Sequence, residues 1–181
     1  MELTIFDRND RSYTEELVGT PDELDIMSDE YSLDEPVRVV CDIRRDGDLV
    51  RIGGTVDASL SVQCDRCVEP FSLGISGAFS IVVRRLALDE PSPVATGDEE
   101  ESDDEDMCFV ENNVKSIDIV PYVRDAIILN VPMKILCTED CKGLCPVCGN
   151  NLNEQSCSCG DSRNDPRWGS LSGLAEGKKK N

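Results

Sequence analysis

Eight of the chain's ten cysteines fall into two clusters with metal-ligand spacing, and this limits what the chain can fold into. The first cluster is Cys64-Asp65-Arg66-Cys67. The second holds Cys137, Cys141, Cys145, Cys148, Cys157 and Cys159. A Cys-x-x-Cys turn brings two sulfurs to one ion at about 2.3 Å each, along one edge of a tetrahedron. Four thiolates close the tetrahedron, so four close pairs are enough for two complete sites. The chain has no histidine, which removes mixed cysteine–histidine sites and any imidazole general base.

Other uses of the thiols fit less well. Met1–Asp10 has neither an apolar core nor a cleavage pattern, so no export signal is expected, and disulfides suit an exported chain. A thioredoxin-like pair needs a helix after its CxxC, and Val68-Glu69-Pro70 spoils one there. Iron fills a four-thiolate tetrahedron as well as zinc does, and spacing does not separate them. Structural zinc, two ions per chain, is the expectation; thiol-redox or metal-handling use of the pairs is the alternative.

Charge narrows the functional classes. The chain has 181 residues, 18 of them basic and 37 acidic, for a formal charge of −19. Such a surface repels phosphate backbones, so direct binding of naked RNA is not expected, and basic proteins are the favoured partners. No apolar run approaches the roughly 18 residues of a membrane span, so a cytoplasmic protein is expected. Asp89–Asp106 is acidic without a base. It buries too little to offset chain entropy and reads as a disordered, solubilising loop rather than a docking mimic, removable with little effect on the fold.

The ordered part reads as α+β: an antiparallel β-sheet or partly open barrel packed by one helix, with a small C-terminal zinc knuckle. Val37, Val39, Cys41 and Ile43 alternate with polar neighbours, and Asp46-Gly47 turns the chain into Leu49–Ile52. Gly53-Gly54 suggests a bulge or bend. Val56, Ala58, Leu60 and Val62 continue the period of two, as do Phe71, Leu73, Ile75, Phe79, Ile81 and Val83. Cys64–Pro70 then sits at a hairpin tip. Met107–Val110 suits a short returning strand. Asp118 reads as an N-cap, with Pro121 in the first turn and Asn130 and Pro132 as the stop. The first 35 residues are polar and mixed, with a turn at Thr20-Pro21-Asp22.

The expected division is a mainly β domain with one helix over 1–136, a cysteine-rich zinc-binding segment over 137–165, and a short helix with a basic tail over 166–181. Trp168, Leu171 and Leu174 have helical spacing in that last segment, and Lys178-Lys179-Lys180 reads as a solvated tail. Cys145, Cys148, Cys157 and Cys159 can close one local site, leaving Cys137 and Cys141 for Cys64 and Cys67. The rival grouping joins Cys137, Cys141, Cys145 and Cys148. A tetrathiolate site carries about −2, which Arg66, Lys134, Lys142 and Arg163 help neutralise. Cys41 and Cys108 fall in strand-like segments as small hydrophobes.

Three runs together resemble the YceD family: Gln63-Cys64-Asp65-Arg66-Cys67-Val68-Glu69-Pro70-Phe71, the helix around Ala126-Ile127-Ile128-Leu129, and Cys141-Lys142-Gly143-Leu144-Cys145-Pro146-Val147-Cys148-Gly149-Asn150-Asn151-Leu152-Asn153. The resemblance covers roughly residues 30 to 175. It implies a cytoplasmic factor that supports large-subunit ribosomal RNA accumulation, and it implies no mechanism and no catalytic residue. The missing histidine and closed thiolate sites point to a non-enzymatic factor, and the charge to ribosomal proteins or a pre-ribosomal particle as partners. The second knuckle belongs to only some members, so the shared function is not expected to reside there.

Overall fold

The computed structural model describes residues 1–6, 10–28, 31–86 and 106–159. The chain forms two compact units: Met1–Val62 with Pro70–Met133, and Gln63–Glu69 with the chain from Lys134 onward. The acidic segment up to residue 105, Arg163, Trp168, Leu171, Leu174 and the lysine tail lie outside the described residues.

In the first unit, β1 (Glu2–Thr4) pairs antiparallel with β8 (Ser116–Asp118). The main sheet contains β2 (Ser12–Gly19), β3 (Tyr31–Leu33), β4 (Val37–Asp46), β5 (Leu49–Gln63), β6 (Pro70–Arg85) and β7 (Asp106–Val110). Its order is β2-β4-β5-β6-β7, with β3 joining β5 beyond the end of β4. The period-two pattern sets its faces: Val37, Val39, Cys41 and Ile43 of β4 and Val50, Ile52, Val56, Leu60 and Val62 of β5 are buried. Burying a side chain of this size contributes on the order of 1.5–3 kcal/mol.

Several expectations are revised. The sheet is open, not a barrel: among the described residues β2 and β7 are its two edges, and β7 runs parallel to β6. No bulge interrupts β5, because Gly53 and Gly54 stay in register opposite Asp42 and Cys41. Gly54 is there for space: a Cβ on it would lie 2.1 Å from the Phe79 ring. That ring stacks on Tyr122 of α2 (Val120–Ile128), with centroids 6.5 Å apart. Gly77 lets α2 approach β6, since a Cβ there would come within 2.5 Å of the Ala126 carbonyl oxygen.

The helix is shorter than the expected Asp118–Asn130 span, and its N-cap is Ile119. Asp118 closes β8, yet its Oδ1 still accepts the Val120 N–H at 3.0 Å. The N-terminal region is more ordered than its polar composition suggests. It supplies β1, β2, β3 and the one-turn helix α1 (Pro21–Leu24), capped by Thr20 Oγ1, which accepts the Glu23 N–H at 3.3 Å. No described helix is long and apolar enough to cross a membrane.

Candidate metal centres

The second unit is built around two Cys-x-x-Cys turns with one backbone design. In the first, the Cys64 N–H donates to Glu69 O at 3.0 Å and the Val68 N–H to Cys64 O at 2.8 Å. In the second, the Cys145 N–H donates to Asn150 O at 2.8 Å and the Gly149 N–H to Cys145 O at 2.9 Å. The turn needs a left-handed residue after its last cysteine. Gly149 takes that position at φ 74° and Val68 at φ 61°.

Two groups of four sulfurs result. Cys64, Cys67, Cys137 and Cys141 form one, and Cys145, Cys148, Cys157 and Cys159 the other, with all sulfurs of a group within 4.8 Å of one another. This is the first of the two groupings considered from the spacing. Cys64 Sγ lies 3.7 Å from Cys141 Sγ, and Cys67 Sγ 3.7 Å from Cys137 Sγ. A tetrahedron with metal–sulfur bonds of about 2.3 Å has an edge of about 3.8 Å, whereas a disulfide brings its sulfurs to about 2.05 Å. The donor set is soft and closed, and either cluster could hold a tetrahedral ion such as zinc or iron.

Neighbouring groups hold the first cluster in shape. Asp65 clasps Ile135: its Oδ2 accepts the Ile135 N–H at 2.7 Å, and its own N–H donates to Ile135 O at 2.8 Å. The Arg66 guanidinium donates to Cys141 O at 2.7 Å and Glu139 O at 3.4 Å. Arg66 therefore orders the second ligand turn through its carbonyls rather than through a sulfur. Gly143 at φ 73° passes under Arg66, where a Cβ would lie 2.9 Å from Arg66 O. Asn153 Nδ2 donates to Cys141 Sγ at 3.2 Å.

The thiols are tuned by the same contacts. Burial pushes the Cys64 thiol up, but backbone N–H groups of Cys137, Cys67 and Arg66 outweigh it and bring the value down to about 6. The backbone N–H groups of Cys148 and Val147 hold Cys145 at about 6. In both turns the backbone N–H groups favour the thiolate form of the first cysteine, the form that binds a cation. Cys64, Cys67 and Cys141 are buried; in the other cluster only Cys145 is, and Cys148 is exposed. Outside the clusters, Cys41 is buried among strand residues, and burial pushes its thiol up to about 11. Cys108 is half-buried.

Sequence reasoning missed Asp65, Asn153 and the left-handed Val68. Side-chain caps formed across loops leave no periodic signal. Only the position after Cys67, matching that of Gly149 after Cys148, was there to be read.

The model of the family described as "Large ribosomal RNA subunit accumulation protein YceD" matches residues 52–175, a stretch that contains both clusters. The chain belongs to the YceD family. It is 31% identical over 163 residues to the Arabidopsis thaliana protein named large ribosomal RNA subunit accumulation protein YCED homolog 1, chloroplastic. That match covers 81% of this chain and 51% of the relative. The Zea mays protein of the same name is 32% identical over 142 residues, covering 68% of this chain and 48% of its own length. An uncharacterized Bacillus subtilis family relative, YlbN, is 33% identical over 153 residues, covering 78% of this chain and 83% of the relative. The chain thus spans about half the length of its plant relatives in the family. No solved structure matches it.

Proposed function

We propose that the protein is a non-enzymatic, zinc-binding factor that supports accumulation of large-subunit ribosomal RNA, acting in the cytoplasm on ribosomal proteins or a pre-ribosomal particle. One zinc is held by Cys64, Cys67, Cys137 and Cys141 and the other by Cys145, Cys148, Cys157 and Cys159. The β domain runs to residue 136, the zinc-binding segment over 137–165, and a short helix with a basic tail over 166–181. The observation that carries the reading is that both closed four-sulfur clusters lie within the residues matched by a family described by ribosomal RNA accumulation. Closed tetrathiolate sites leave no position for a metal-bound water, so the metal shapes a surface rather than performing hydrolysis. The net charge of −19 suits basic ribosomal proteins better than bare RNA. The gathering of four sulfurs within 4.8 Å of one another, rather than a single pair, favours this over the thiol-redox reading.

Depleting the protein from cells should lower large-subunit ribosomal RNA relative to small-subunit RNA. Wild-type protein should restore the ratio, and Cys64→Ser/Cys67→Ser should not. An unchanged ratio on depletion would contradict the proposed role.

A further inference from the structure

Cys141 belongs to the first cluster, but the side chain that caps it comes from the loop of the second. Asn153 lies between Cys148 and Cys157. Its Oδ1 accepts the Lys142 N–H at 2.8 Å, and its Nδ2 lies 3.2 Å from Cys141 Sγ. A backbone N–H can only donate, so the Lys142 contact fixes the oxygen end of the amide and leaves the NH2 end for the sulfur. The two ends of one amide therefore grip consecutive residues of the first cluster's ligand turn.

The loop that carries Asn153 is aimed by its own bonds. Asn151 Oδ1 accepts from the Asn153 N–H and from Asn153 Nδ2, both at 3.0 Å. The Leu152 N–H donates to Gly143 O at 2.9 Å, and Leu144 bridges to Asn151. This loop leaves one ligand pair of the second cluster, at Cys148, and re-enters the other at Cys157. Gathering both pairs on one centre fixes the two ends of this loop in addition to those bonds. In a short segment with no core of its own, a metal that draws the ends together adds to what these bonds supply.

We infer that Asn153 is a positioning residue that couples the two clusters, so that metal in the second cluster strengthens metal binding in the first. The inference rests on the metal-binding reading. Donation to a thiolate lowers its charge density and fixes its direction, and outer-shell partners of metal ligands typically change affinity by about 10–100-fold. Coupling of binding free energies is reciprocal, so loading the first cluster strengthens the second by the same factor.

Thiol alkylation with mass spectrometry at buffered free zinc reads the clusters separately. The full chain is compared with Asn153→Asp, with Cys157→Ser/Cys159→Ser, and with all three changes together. The carboxylate introduced by Asn153→Asp would keep an acceptor for the Lys142 N–H and lose the donor to Cys141; circular dichroism of the sheet shows that each variant folds. The zinc concentration that half-protects Cys64 and Cys67 should rise about tenfold in N153D and about tenfold in the double serine variant. Combining them should add little. In cobalt-loaded protein, the sulfur-to-metal charge-transfer band of the first cluster should shift in N153D. Unchanged protection of Cys64 and Cys67 in the double serine variant, multiplying effects, or an unshifted band would overturn the coupling. Wild-type protein with neither cluster protected at any zinc level would instead overturn the metal-binding reading itself.

Discussion

The two cysteine turns share a hydrogen-bond circuit, but one makes it with glycine and the other with valine. Gly149 enters the left-handed region without a steric penalty, whereas Val68 at φ 61° is a β-branched residue where few are found. Such a conformation costs roughly 1–3 kcal/mol and persists only when the surroundings over-determine it. Around Val68 they do: Asp65 clasps Ile135, and Arg66 orders the Cys141 turn. The first cluster is closed by residues far apart in sequence, and its thiols are mostly buried. The second is local, more exposed, and built on the easier residue. We read the difference as a first cluster that takes part in folding the chain and a second that is a local attachment to it.

The strongest way to break this comparison is to remove each site in turn. Cys64→Ser/Cys67→Ser should destabilise the domain by several kcal/mol, since metal binding at a long-range site is folding free energy. Cys157→Ser/Cys159→Ser should loosen the local knuckle and leave the sheet and α2 protected. Hydrogen exchange on both variants checks this, and equal loss of sheet protection would erase the distinction.

Acid should act in the same direction. Cys64 and Cys145 are held at about 6, below the usual thiol range. A depressed value contributes stability that is complete above the ordinary thiol range and is lost as pH falls from there through about 6. Protons compete with metal for the same sulfurs, so acid should displace both metals. The exposed cluster should release first. A metal-indicator titration follows it, and retention of both ions at pH 4 would contradict the assignment.

Exchanging the turn residues probes the comparison more finely. Gly149→Val should cost about 1–3 kcal/mol of local stability by importing the strain of Val68. Val68→Gly should be neutral or stabilising by about 1 kcal/mol, because relief of strain outweighs the entropy of an added glycine. Val68 is 54% exposed, so little burial is lost. Denaturant midpoints read both changes; a strongly destabilising Val68→Gly would show that the side chain anchors the turn.

Much of this arrangement was legible in the sequence. Strands β4, β5 and β6 announce themselves because one buried face forces a period of two. The close cysteine pairs were legible, but spacing left two groupings open, and the fold brings Cys64 and Cys67 together with Cys137 and Cys141. Other features left no such trace. Strand β2 carries Glu15 and Glu16 beside Leu17 at the sheet's edge, so its apolar signal is weak. The parallel placement of β7 depends on how the chain returns, which no local pattern records. It also revises the expected tolerance to deletion. Parallel neighbours need a crossover of a dozen or more residues, so excising the acidic segment would break the β6–β7 pairing. Replacing residues 89–105 with a glycine–serine linker of equal length should change stability by no more than about 0.5 kcal/mol. A larger fall in thermal midpoint would show that the acidic residues themselves are packed.

The central claim is that eight cysteines form two closed metal sites, and the metal content of freshly purified, chelator-free protein tests it most directly. Elemental analysis should return two zinc ions per chain, with the eight cluster thiols protected from alkylation and released together with the metal. One ion or fewer, or cluster cysteines recovered as disulfides, would contradict the account.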